Sequence, residues 1–252
     1  MSGYLTRADS IPSVKAFYKK RLSKTLPAYF VWSAVFIVLY RDSNMRSIIV
    51  KLLTGQAHAI YYYIFVYVQC VLLTPLLLKI IRKSGTGAKL LLCITPAALV
   101  AEYILVLTGH PLVFPDNANN FCVWIAFYVY GLMRRNRTGE RKTGRSSFWI
   151  WGICMALQIA ESLLWYHLGE FDLAASQLKL TSMMTSFAVL NVILYIEPKW
   201  KATPSGKPAA IVRRAFRLLG DYSFGIYLMH MISPHTKIIA ATQYRAAALL
   251  FL

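Results

Sequence analysis

Residues 60–80 read IYYYIFVYVQCVLLTPLLLKI, twenty-one residues carrying a single charge, at Lys79. Coiled as an α-helix, this stretch rises about 30 Å, the thickness of a bilayer's hydrocarbon core. Working outward, further apolar runs fall at 26–40, 90–108, about 115–133, 148–168, 180–196, about 218–232 and 238–252. The runs at 90–108 and 148–168 also span unaided. The run at 26–40 is short unless it extends back through Leu22, with Lys24 snorkelling toward the head groups. The run at 115–133 opens on Asp116, Asn117, Asn119 and Asn120, so its outer end is wet, and 238–252 carries Arg245. The expected fold is all-α: a polytopic transmembrane helix bundle of about seven or eight segments. It forms one domain over 1–252, opened by a basic cytoplasmic segment at 1–25.

Composition agrees. Hydrophobic residues make up 57%, charged residues 15%, and mean hydropathy is +0.48, whereas soluble chains average about 25% charged residues. So apolar a chain is neither a soluble domain nor disordered. The net charge of +18 would suit a nucleic-acid partner only if the basic residues shared one folded surface. Here they sit between apolar runs, so no nucleic acid is expected.

Their distribution sets orientation instead. Basic residues cluster before the first run (Arg7, Lys15, Lys19, Lys20, Arg21, Lys24) and around the second connection (Lys79, Arg82, Lys83, Lys89). They cluster again in the fourth connection (Arg134, Arg135, Arg137, Arg141, Lys142, Arg145) and the sixth (Lys199, Lys201, Lys207, Arg213, Arg214, Arg217). These positions hold 22 of the 28 Lys and Arg residues. The loops around Asp116 and around Glu170 and Asp172 hold almost none. Such alternation is the positive-inside pattern and places the N-terminus in the cytoplasm. Clustered cations beside a membrane serve either orientation alone or the binding of phosphates and anionic head groups.

Chemistry-bearing residues are few. The four cysteines lie inside apolar runs without CxxC or Cys/His spacing, so no metal site is expected. All five histidines (His58, His110, His167, His230, His235) fall at or toward the extracytoplasmic ends of runs, a placement that suits proton transfer, acceptor binding or a plain interfacial role. His230 stands apart, inside the apolar string Gly220-Asp-Tyr-Ser-Phe-Gly-Ile-Tyr-Leu-Met-His230. Glu102 and Glu161 lie within membrane runs, where an ionisable group is costly and points to function; each also lies within about two turns of a wet interface. No Ser-His-Asp order, GxSxG elbow or HExxH spacing is present.

Three stretches carry a resemblance. Residues 17–30, FYKKRLSKTLPAYF, are similar to an aromatic, basic, Arg-x-x-Arg run leading into a Leu-Pro-x-Tyr helix start, with Lys24 where the second Arg would stand. The aromatics Tyr61, Tyr62, Tyr63 and Phe65, followed by Leu73-Thr-Pro-Leu-Leu77, resemble an aromatic-rich helix ending in Leu-x-Pro-Leu-Leu. A His often precedes those aromatics; the nearest here is His58. The string from Gly220 to His230 resembles a penultimate helix. Together they resemble the acyltransferase-3 family of integral-membrane O-acyltransferases.

The resemblance implies a bundle of about ten helices in the plasma membrane. It implies transfer of an acyl group from cytoplasmic acyl-CoA to a sugar hydroxyl of an exported or cell-surface glycan. By that resemblance Lys20, Arg21 and Lys24 would hold the donor's phosphates, and His58 and Tyr227 would lie on the acceptor side. His230, Glu102 and Glu161 are the candidate catalytic groups, with no cofactor beyond acyl-CoA as co-substrate. The partners would be the lipid bilayer, acyl-CoA and a glycan. The family's first helix, with its Arg and the His proposed as base, has no counterpart here, and the last helix breaks off. The expectation is therefore a truncated member of an acyltransferase family, with the activity of this chain alone left open. Two other readings stand beside the enzyme: a glycan or lipid transporter, which predicts internal repeats, and a non-catalytic membrane subunit.

Overall fold

The computed structural model describes residues 2–11, 13–39, 44–112, 114, 116–136, 144–202 and 207–229. The described residues are helical, with no strand among them. The chain divides into two compact units, Met1–Ala202 and Thr203–Leu252. The first unit holds α1 (Val14–Leu39), α2 (Met45–Thr54), α3 (Tyr62–Lys83), α4 (Gly85–Leu107), the single turn α5 (Asp116–Asn119), α6 (Ile125–Asn136), α7 (Ser146–His167), the short α8 (Phe171–Ala175) and α9 (Leu180–Ala202). The second unit holds α10 (Lys207–Met229).

Five stretches are long and apolar enough to cross a membrane: α1, α3, α4, α7, and Phe171–Pro198, which joins α8 to most of α9. Their side chains are openly apolar. On α7, for example, Trp149 is 79% and Ile153 60% exposed. Water would penalise such a surface by roughly 25 cal/mol per Å², whereas lipid does not. The expected seven or eight segments are thus five among the described residues. The run at 238–252 lies outside them.

The run at 115–133 is not one spanning helix, and the reason is specific. Asn120 caps a 3-10 turn over Phe121–Val123, its side chain accepting from the Cys122 N–H at 3.0 Å. The Thr95 hydroxyl of α4 then donates to the Cys122 carbonyl at 2.7 Å and accepts from the Ala126 N–H at 3.0 Å. One side chain thereby satisfies two backbone groups that a continuous helix would have paired internally. The twelve-residue helix that remains, α6, is too short to span, and it is the centre of the unit. Ala126, Val129 and Leu132 have no exposed surface, and Val129 and Leu132 belong to one core with Val66, Cys70 and Leu77 of α3 and Ala88 of α4.

Helix ends follow local chemistry. Asn44 caps α2 by accepting from the Arg46 and Ser47 N–H groups, and Gly55 ends it at φ +74°, a left-handed conformation that favours glycine. Ser84 both ends α3 and caps α4, accepting from the Gly87 N–H, so these two helices form a tight hairpin. The opening turn, Ser2–Leu5, lies against α6 through facing glycines. A Cβ on Gly3 would stand 2.1 Å from the Tyr128 carbonyl oxygen, and one on Gly131 would stand 2.6 Å from the Tyr4 nitrogen. Asn136 completes the joint, donating to the Thr6 carbonyl at 2.9 Å and accepting from the Ala8 N–H at 2.7 Å.

Candidate functional site

The first unit has two unlike poles. Basic side chains gather where α3 and α6 end and α4 begins: Arg82 pairs with Asp9 at 3.0 Å, and Arg135 lies over the Tyr4 ring at 5.3 Å. The opposite pole is built from α3's start, the ends of α4 and α7, and the segment from α5 to Val123.

Toward that opposite pole lies a cavity of about 510 Å³. Its walls come from the first halves of α3 (Tyr62, Tyr63, Val66, Tyr67, Cys70), α6 with the preceding Trp124 (Phe127, Tyr128, Tyr130) and α9 (Ser182, Thr185, Ser186, Phe187, Val189, Leu190). Met155 and Gln158 of α7, with Gln177 and Ser2, complete them. Among the described residues the lining contains no Lys, Arg, His, Asp or Glu. Local bonds hold its rings in place. The Trp124 indole N–H donates to the Ala118 carbonyl at 2.8 Å, Gln177 donates to the Tyr62 hydroxyl, and Tyr130 stacks on Phe187 at 4.3 Å. Tyr130 also donates to Asn191 at 3.0 Å. At the inner end the Thr74 hydroxyl donates to the Cys70 carbonyl at 2.9 Å. The Tyr128 hydroxyl, 2.7 Å from Thr74, therefore supplies the hydrogen between the two, since a threonine has only one to give. The Ser182 hydroxyl is 7% exposed and has no partner among the described residues.

Beside this cavity stands a polar knot. Both oxygens of Glu161 act as acceptors: one from the Tyr103 hydroxyl, the other from the Thr181 N–H at 3.0 Å and the Thr181 hydroxyl. The Tyr103 oxygen in turn accepts from the Leu180 N–H at 2.9 Å. Because the first N–H groups of a helix lack intrahelical partners, Glu161 and Tyr103 together cap α9 from neighbouring helices. Lys179, only 2% exposed, donates to the Ser162 hydroxyl at 2.7 Å and to the Ala174 carbonyl. A lysine buried so fully is rare unless paired.

Glu102 sits apart from Glu161, although its chain neighbour Tyr103 binds that residue. One Glu102 oxygen accepts from the Asn117 amide at 2.8 Å; the other, and the Asn117 carbonyl oxygen, have no partner among the described residues. Glu102 is 6% exposed. Neither carboxylate lines the cavity. His58 caps the 3-10 turn Ala59–Tyr61 that precedes α3: its Nδ1 accepts from the Ile60 N–H at 3.4 Å, and its ring packs 4.6 Å from Phe36. Lys20 and Lys24 are exposed on α1. Arg21 between them ties α1 to the opening segment, one guanidinium nitrogen donating to the Leu5 carbonyl at 2.8 Å and the Thr6 hydroxyl at 2.9 Å. Tyr227 is half-buried on α10 of the second unit, and His230 lies outside the described residues. No group of three His, Cys, Asp or Glu residues gathers among the described residues.

The structure thus brings Glu161 to the cavity's flank and leaves Glu102, His58 and the basic trio at separate positions. Sequence reasoning passed over Lys179 and Ser182. Lys179 carried a signal, being one of the few basic residues outside the four basic clusters and lying directly before an apolar run. Ser182 carried none.

Five apolar spans, of which α3, α4 and the one ending in α9 pack against a buried short helix, define a multi-pass membrane protein. The family model for the acyltransferase domain of the acyltransferase-3 family matches residues 1–250, and the chain belongs to that family. Comparison with curated proteins and with solved structures gives no match.

Proposed function

We propose that this protein transfers an acyl group from acyl-CoA, bound at the cytoplasmic face of the plasma membrane, to a sugar hydroxyl of an exported or cell-surface glycan. The observation that carries this reading is the separation of chemistries. Cations that suit a phosphorylated donor gather at one pole, and an uncharged, aromatic, hydroxyl-bearing cavity lies toward the other. The positive-inside pattern makes the basic pole cytoplasmic. In the reaction the acceptor oxygen bonds to the acyl carbon, the thioester C–S bond breaks, and the acceptor's proton passes to the departing thiolate. Lys20, Arg21 and Lys24 are the donor-side cations, because a pyrophosphate favours clustered Lys and Arg and is gripped best by a guanidinium fork.

The test is Arg21→Ala in the full chain, assayed for transfer of labelled acetyl from acetyl-CoA to a sugar acceptor. Transfer should fall at least tenfold and recover only in part in Arg21→Lys, with membrane insertion unchanged. Full transfer by Arg21→Ala would reduce the stretch to an orientation signal. One observation favours a second reading, a non-catalytic membrane subunit that holds a glycan: among the described residues the cavity lining contains no His, Asp or Glu to accept the proton, and general-base help is worth about 10²–10⁴-fold. Glycan binding without any transfer would select it.

A further inference from the structure

The cavity's lining says more about its occupant than that it is a glycan. We propose that the cavity seats the acceptor, and that the part seated there is an uncharged sugar ring, hydrogen-bonded to Ser182 and lying against the fixed aromatic wall of Trp124 and Tyr62. This assignment rests on the acyltransferase reading above and specifies its acceptor.

Three observations converge on it. First, the Ser182 hydroxyl is more than nine-tenths buried, lines the cavity and has no hydrogen-bond partner among the described residues. A buried polar group in a native protein is almost always paired, so the occupant supplies that partner. An acyl chain offers none, whereas a ring hydroxyl does, as donor or acceptor. Second, Trp124 and Tyr62 lie nearly parallel, at 30° and 6.0 Å between centroids, and both are held by bonds at their polar tips. Prefixed flat rings of this kind suit the C–H faces of a pyranose and lose little freedom when one binds. Third, among the described residues no charged side chain lines the cavity. A carboxylate or phosphate on the seated ring would be desolvated without a counter-charge, which is strongly unfavourable. A volume of about 510 Å³ falls within the usual range for small-molecule sites, roughly 300–1,000 Å³.

The amide groups of Gln158 and Gln177, also in the lining, are further donors and acceptors for ring hydroxyls. Gln177 is already engaged with Tyr62, so a ring that bonds it is placed against that aromatic wall. The short stretch from Gln177 to Ser182 contains Lys179 and Thr181, both tied to α7 through Ser162 and Glu161. The same knot therefore positions both polar ends of the seat.

The test uses the full chain in lipid nanodiscs, with maltose as the neutral probe and a disaccharide of equal size bearing one ring carboxylate as the charged one. Binding is measured by calorimetry, and acetyl transfer to both probes is measured in the same preparations. Maltose should bind, and the carboxylated disaccharide should bind at least tenfold more weakly. Ser182→Ala should weaken maltose binding about fivefold, the size of one lost hydrogen bond; Ser182→Thr, which keeps the hydroxyl, should recover most of it. Trp124→Leu should weaken it further. Equal binding of the charged disaccharide, no binding of either, or indifference to Ser182→Ala and Trp124→Leu together would overturn the assignment. So would displacement of maltose by pantetheine, which would make the cavity a donor-arm site. Transfer with an unchanged acceptor KM in Ser182→Ala would sink the seat and leave the acyltransferase reading standing. Specific maltose binding with no transfer would do the reverse.

Discussion

Removal of the Glu161 side chain is the sharpest perturbation of the region beside the cavity. Glu161→Ala deletes the acceptor of three hydrogen bonds: from the Tyr103 hydroxyl, the Thr181 N–H and the Thr181 hydroxyl. Losing a cap on a helix start costs about 0.5–2 kcal/mol, and leaving a buried hydroxyl unsatisfied costs about 1–3 kcal/mol. Glu161 itself is half-buried, so solvent reaches part of the wound, and about 2–4 kcal/mol is the reasonable sum of these contributions. Glu161→Gln keeps an acceptor for the Thr181 N–H and a polar group toward Tyr103, so it should cost only about 1 kcal/mol. Thermal unfolding of the purified protein in nanodiscs reads the difference: at about 2–4 °C per kcal/mol for a chain of this size, the alanine variant should melt roughly 10 °C lower and the glutamine variant a few degrees lower. Equal melting of Glu161→Ala and the unmodified protein, within about 1 °C, would show that these bonds contribute nothing and that the knot does not hold α9.

Four further outcomes follow from the same geometry. Lys179→Met, which loses the bonds to Ser162 and Ala174, should raise the acceptor KM more than it lowers kcat, because it loosens the stretch carrying Gln177 and Ser182; steady-state kinetics on both substrates reads that split. Gly131→Ala should destabilise by about 1–3 kcal/mol and expose the opening segment to protease, since the new Cβ would press on the Tyr4 nitrogen at 2.6 Å. Gly152→Ala, in open surroundings on α7, should be neutral or stabilising by up to about 1 kcal/mol, as thermal melts of the pair would reveal. Thr95→Val should cost about 1–3 kcal/mol by orphaning the Cys122 carbonyl and the Ala126 N–H, measured as a lower melting temperature.

The spans were legible because membrane helices announce themselves by length: residues 60–80 and 90–108 became α3 and α4 within a few residues at each end. The run at 115–133 was not: the Asn120 cap is local, but Thr95, which pairs the backbone groups left open by the break, sits on another helix. Glu102 and Glu161 stood out as carboxylates in apolar sequence. Nothing local distinguished the one whose oxygens are both engaged from the one with an oxygen left over, since their partners lie 15 to 58 residues away. Lys179 stood outside the four basic clusters, directly before an apolar run, and only the fold shows that it is buried. The cavity itself is assembled from four helices and has no linear signature.

The most direct test is the sidedness of the reaction. Membrane vesicles with the cytoplasmic face outward, loaded with a neutral glycan in the lumen, are given labelled acetyl-CoA outside, which cannot cross the bilayer. The expected result is acetyl ester on the lumenal glycan, abolished when acetyl-CoA is confined to the lumen. Label that appears only on glycan added outside, on the same face as the donor, would contradict a donor pole and an acceptor cavity on opposite sides of the membrane.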